Sequence, residues 1–254
     1  MGKRNGEMNK KDSQVMISAI DTERFGATIA RALVSSSDTL HEAIRFCEEN
    51  QVAMLIARCP VDETQTAQDM EEEEFRIMDT LVYYSSNLKG MFPPDVIEDI
   101  EIRLMRDGEE QQVQDVAGRA FRGYYGHYHA DRKLEKKKCD EGYVSWATRS
   151  SCERDDDHDV LVAVSEGTIV GFATMRLNNS VEGEGVIFGV DLEYQGKGIY
   201  KSFIIKGMEW CKKAGADRMI VSTQINNIAV QKVWSRVGFE PTRAYYTFHR
   251  WFEG

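Results

Sequence analysis

Read for the spacing of its apolar positions, the chain falls into two stretches. In the first, residues 39–50 place Leu40, Ile44, Phe46 and Cys47 at helical spacing, and 52–57 form a short apolar run of strand length. Residues 66–74 predict a helix and 75–84 a strand, before a Gly- and Pro-containing break at 88–95 that can continue neither element. In the second stretch, Ile100, Ile102 and Leu104 alternate with charged residues, which predicts a strand over 97–104. An amphipathic helix over 109–121 follows, then an aromatic segment, a helix to about Trp146 and a polar loop at 150–159. Residues 160–164 and 168–177 predict a hairpin turned by Ser165-Glu166-Gly167. A strand over 185–190, a helix opening at Ile199, a strand over 218–223, a helix around Trp234 and a strand-rich end at 239–251 complete the pattern. Residues 1–14 are polar and predict a disordered tail, 15–90 a small α/β domain, and 97–254 a larger domain. The predicted class is α/β (α+β), with a mixed central sheet flanked by helices.

Composition narrows the function. Of 254 residues, 42% are hydrophobic, enough for a packed core. No apolar run reaches membrane-spanning length and no secretory leader is evident, so a cytoplasmic protein without a membrane partner is expected. The five cysteines are scattered without a Cys-x-x-Cys pair, which argues against a zinc site or a disulfide framework and leads us to expect no metal. A net charge of −10 argues against nucleic acid as a partner.

Candidate chemistry concentrates after the strand ending at Phe188-Gly189-Val190. There, Gln195-Gly196-Lys197-Gly198 runs straight into the helix that begins Ile199-Tyr200. Strand, glycine turn and helix N-terminus aim backbone N–H groups at a phosphate. The ATP-binding pattern fails because Gly198, not Ser or Thr, follows Lys197, and the dinucleotide fingerprint lacks its third glycine. The segment resembles the pyrophosphate loop of the GNAT superfamily of N-acetyltransferases, Gln/Arg-x-x-Gly-x-Gly/Ala, with Tyr200 in place of the last small residue. A second stretch is similar to another signature of that superfamily: Asn227, a helix through Trp234, then Gly238-Phe239. The resemblance implies acetyl-CoA or a longer acyl-CoA as co-substrate. It implies that Phe188, Gly189, Val190, Gln195, Gly196, Lys197, Gly198, Ile199, Tyr200, Asn227 and Trp234 hold that co-substrate. A Tyr usually stands in the family where Trp234 stands here, and protonates the leaving thiolate.

The acceptor is sought in the segment 120–131, where Tyr124, Tyr125, His127, Tyr128, His129 and Asp131 crowd together. Aromatic faces with polar tips suit a sugar ring or nucleobase, so Tyr125, His127, Tyr128 and Glu184 are expected to bind the acceptor. The two-part layout resembles the N-acyltransferases of dTDP-linked amino sugars, which implies transfer to a sugar amine. The general base is expected among His129, Asp131, His127 and Glu184, with His129 preferred for its unperturbed pKa. The indole of Trp234 is no acid, so Tyr246 or Tyr200 would protonate the thiolate, or it leaves unprotonated. Tyr246 is the expected acid. Rival readings are an acetyltransferase for an aminoglycoside, an amino acid or a peptide, and a non-catalytic acyl-CoA sensor. An exposed terminal strand suggests a homodimer.

Overall fold

The computed structural model describes residues 15–90, 100–152 and 154–252. The tail expected at 1–14, most of the break at 88–95 and the first residues of the strand expected from 97 lie outside the described residues. In chain order the elements are β1 (Met16–Ile17), α1 (Ala19–Phe25), β2 (Ile29–Leu33), α2 (Ser37–Glu49), β3 (Met54–Pro60), α3 (Thr64–Glu72) and β4 (Arg76–Asn87). Then follow β5 (Glu101–Leu104), α4 (Glu110–Ala120), α5 (His127–Ala130), α6 (Lys136–Cys152), β6 (His158–Ser165), β7 (Thr168–Asn179) and β8 (Glu182–Val190). After a 3-10 turn at Leu192–Tyr194 come α7 (Ile199–Lys213), β9 (Arg218–Gln224), α8 (Ile228–Arg236) and β10 (Glu240–Trp251). Among the described residues no helix is long and apolar enough to cross a membrane.

The chain divides into two compact units. The first holds the residues up to Asp79 and those from Tyr245; the second is Thr80–Ala244. In the first unit β2 and β3 run parallel, with α2 as the crossover, and the end of β10 pairs antiparallel to β3 from Tyr245↔Pro60 to Trp251↔Met54. Ser36 starts α2 with a capping box shared with Thr39, which satisfies N–H groups that have no partner inside the helix. Leu40, Ala43, Cys47, Leu55, Ala57, Met70 and Phe248 form its core. The sequence pattern put the whole C-terminal strand in the second domain and residues 80–90 in the first. The contacts instead run the other way at both joints, because a strand belongs to whichever edge it pairs with, and pairing partners are distant in sequence.

The second unit carries the strand order β4-β9-β8-β7-β6-β5. The β6–β7 hairpin turns at Glu166 and Gly167, both with positive φ, as a two-residue turn that follows the strand twist requires. Helix α7 connects β8 to its parallel neighbour β9, and its stripe of Ile199, Phe203, Met208 and Cys211 is fully buried against the sheet. Burial of each such side chain contributes about 1.5–3 kcal/mol, so this stripe seats the N-terminus of α7 firmly. On the opposite face Val113, Val116 and Ala117 of α4 pack with Phe172 and Ile187.

Candidate functional site

The site grows from an irregularity in β8. Between Thr174↔Ile187 and Met175↔Gly185 the register of β7 and β8 shifts, leaving Val186 as a bulge. The buried Thr174 hydroxyl accepts the Ile187 N–H at 3.2 Å and so completes the bulge. On its other edge β8 pairs with β9 only up to Gly185↔Val221. Past that point the two strands part, and an edge of β8 opens. Backbone polar groups alternate sides along a strand. Since the Ile187 N–H points to β7, those of Phe188 and Val190 face the gap. The Val190 carbonyl on that edge accepts the side-chain amide of Gln195 at 3.1 Å.

Gln195 thereby anchors the loop that follows. Gly196 and Gly198 both take left-handed φ, +75° and +82°, and a Cβ at Gly196 would meet open space. Among the described residues, the N–H groups of residues 196–201 donate to no other backbone group, and the ladder resumes only with Ser202 N–H to the Gly198 carbonyl. Six consecutive unspent donors at the N-terminus of a helix form an anion cradle. Lys197 lies over the Tyr194 ring, its Nζ 4.5 Å from the centroid. Arg119 of α4 binds the Asp191 carboxylate at 2.5 Å and fixes the turn before the loop. The sequence pattern gave no sign of Arg119, because its partner is 72 residues away.

Across the gap stands α8. Asn227 precedes its first turn and donates from Nδ2 to the Thr223 hydroxyl at 3.1 Å. Trp234 is only 1% exposed and packs against Tyr84, ring centroids 5.2 Å apart. Its Nε1–H donates to the Tyr200 hydroxyl at 3.0 Å. The Tyr200 ring also meets that of Phe188 at 5.3 Å. Trp234 is therefore a core residue shielded by Tyr200, which itself lines the gap.

The segment 120–131, expected to hold the acceptor, is built differently from that expectation. Phe121, Tyr124 and Tyr143 form a three-ring cluster. Gly126 lies so close to the Tyr143 hydroxyl that a side chain there would collide with it. The side chain of His129 is 3% exposed; its Nδ1 accepts the Gly126 N–H at 3.1 Å and its Nε2 donates to Asp140 at 2.9 Å. Both nitrogens serve the fold, so the imidazole preferred as general base has no free lone pair. Asp131 is buried and accepts the Lys133 N–H at 2.9 Å. His127 and Tyr128 are buried with their rings in contact, and Tyr125 is exposed. Glu184 is bound by Arg176 at 2.5 Å on the adjacent strand, so its carboxylate already has a partner. Tyr246, the expected acid, lies in the first unit and packs on its core beside Phe248.

Residues 114–239 match the model of the acetyltransferase (GNAT) family. Two solved structures share the architecture over nearly the whole chain. A functionally unknown conserved protein from Staphylococcus epidermidis matches with TM-score 0.64 and 17% identity, over 96% of this chain and 93% of that one. A GCN5-related N-acetyltransferase from Sphaerobacter thermophilus matches with TM-score 0.64 and 14% identity, over 93% and 76%. The fold is that of the GNAT superfamily. Both motifs that carried the resemblance fall within the matched segment of this GNAT fold and face each other across the β8–β9 fork. A mycothiol acetyltransferase from Saccharomonospora viridis is 26% identical over 175 residues, 65% of this chain and 54% of the relative. The chain thus spans about half the length of that curated relative. Among the described residues no group of three or more metal-ligating side chains converges.

Proposed function

We propose that this chain is an acyl-CoA-dependent N-acyltransferase that moves an acetyl group to the amine of a small molecule. The observation that carries this reading is the row of unspent N–H groups over 196–201 beside the open edge of β8. The loop would hold the pyrophosphate of acyl-CoA, and the open edge would hold its extended arm. The cradle fits a pyrophosphate: it supplies donors and no acidic side chain, and its glycines leave the backbone bare. At the fork the Phe188 N–H would stabilise the developing oxyanion. With both His129 nitrogens engaged, proton removal from the attacking ammonium passes to Asp131, directly or through one water.

For the acceptor, the proposal is a dTDP-linked amino sugar, supported by the aromatic segment at 124–131 and by the cations Arg122, Arg132 and Lys133 around it. The relative named mycothiol acetyltransferase favours a second reading, the acceptor of that enzyme. The deciding experiment pairs calorimetric binding of acetyl-CoA with thiol release against dTDP- and UDP-linked amino sugars, the mycothiol acetyltransferase acceptor, an aminoglycoside and a peptide. Binding together with turnover of one amine class establishes the enzyme and its acceptor. Binding without turnover on any amine points to a sensor. Absence of acetyl-CoA binding removes the proposal.

A further inference from the structure

We propose that the Tyr200 hydroxyl is the hydrogen-bond donor to the sulfur of acyl-CoA as it leaves, with Trp234 as the residue that positions it. This rests on the acyl-CoA reading above and names the group that reading lacks, since the side chain at 234 is an indole.

Tyr200 is at the second position of α7, directly after the unspent N–H groups of the loop. Its ring leans on Phe188, whose backbone lines the open edge of β8. The Trp234 Nε1–H occupies one lone pair of the hydroxyl oxygen at 3.0 Å. The hydroxyl proton itself finds no acceptor among the described residues. A hydroxyl oriented by an accepted bond, with its own proton unspent at the wall of a gap, is a donor awaiting a ligand. With its ring on Phe188, Tyr200 stands at the junction where β8 parts from β9. The atoms of acyl-CoA that must reach that junction are those of the thioester.

The chemistry is hydrogen bonding rather than acid catalysis. Burial pushes the Tyr200 phenol above its ordinary value, while a thiol ionises near 8.5. Proton transfer from phenol to thiolate therefore runs uphill. In the balanced step, the amine nitrogen bonds to the carbonyl carbon and the C–S bond breaks with its electron pair on sulfur. The thiolate leaves while hydrogen-bonded by Tyr200, which keeps its proton, and takes a proton from water on release. Nitrogen gives up two protons: the ammonium proton goes to Asp131 before attack and then to solvent, and the second goes to solvent from the tetrahedral intermediate as the C–S bond breaks.

The test needs no acceptor. The ionisation of protein-bound CoA is followed by thiolate ultraviolet absorbance, with the desulfo-CoA complex as the blank, in wild type, Tyr200→Phe and Trp234→Phe. The thiol of CoA bound to wild type is expected to ionise about one pH unit or more below that in Tyr200→Phe, the size of a hydrogen bond to a charged group. Trp234→Phe is expected to shift it in the same direction but less, because the hydroxyl remains and only its orientation is lost. Desulfo-CoA affinity within about threefold of wild type in both variants shows that the site is intact. Equal thiol ionisation in all three proteins overturns the inference, as does loss of desulfo-CoA affinity without any thiol shift. Wild type that binds no CoA overturns the acyl-CoA reading instead.

Discussion

At the scale of single residues, side chains are assigned by what their polar atoms already do. Histidine is the residue type expected to serve as base in the segment 120–131, yet His129 holds the Gly126 N–H on one nitrogen and Asp140 on the other. Removing it leaves a buried N–H unpaired, which costs about 1–3 kcal/mol. His129→Ala is therefore expected to lower the thermal midpoint by several degrees while leaving the shape of the pH–rate profile unchanged. Asp131→Asn is expected to lower turnover about a hundredfold or more and to abolish the acidic limb of that profile. The reverse result, with the limb lost in His129→Ala and kept in Asp131→Asn, would return the base role to the imidazole. The same logic separates Trp234 from Tyr200. Sequence position suggested that residue 234 faces the co-substrate, but the indole spends its only donor on Tyr200 and is buried.

At the scale of elements, the site depends on two junctions that local pattern does not announce. One is the bulge at Val186, which turns β8 away from β9 and is completed by Thr174. The sequence pattern placed a strand at 185–190 but could not show that its far half lacks a partner on one side. The other is the joint between β5 and α4. Arg103 grips Glu109 through two hydrogen bonds, 2.8 and 2.7 Å, and the Arg106 N–H donates to the same carboxylate. These contacts, the hydrogen bonds from Arg103 first, hold the Glu109 carboxyl at about 2, below its ordinary 4.5. A carboxyl lowered on folding contributes stability above its ordinary value and loses it as pH falls through the folded value. Glu109→Gln is expected to cost about 1 kcal/mol near neutral pH, with the difference from wild type shrinking below about pH 4.5 and vanishing near 2. Urea melts of both proteins across that range check it; a constant difference at all pH values would show that the ion pair is not its source.

At the scale of the whole molecule, the two cores protect most of the thiols. Cys47, Cys59, Cys139 and Cys211 are buried and Cys152 is exposed. Burial pushes Cys47, Cys59 and Cys211 up to about 12, which suppresses the reactive thiolate. A disulfide-exchange reagent at pH 8 is expected to label one thiol in the native protein and five after denaturation. Fast labelling of a second thiol would show that one of the two cores opens readily. Local sequence sufficed for the helical stripe of α7, the Glu166-Gly167 hairpin, the glycine loop at 196–198 and the order of elements from β6 to α8. Each is set by the conformational preferences and apolar spacing of neighbouring residues. The tertiary structure alone decided that β10 ends against β3, that β8 parts from β9, that Arg119 reaches Asp191 and that Tyr200 covers Trp234. These partners are separated by tens to nearly two hundred residues, and local sequence specifies which surface a residue presents, not which distant surface will meet it.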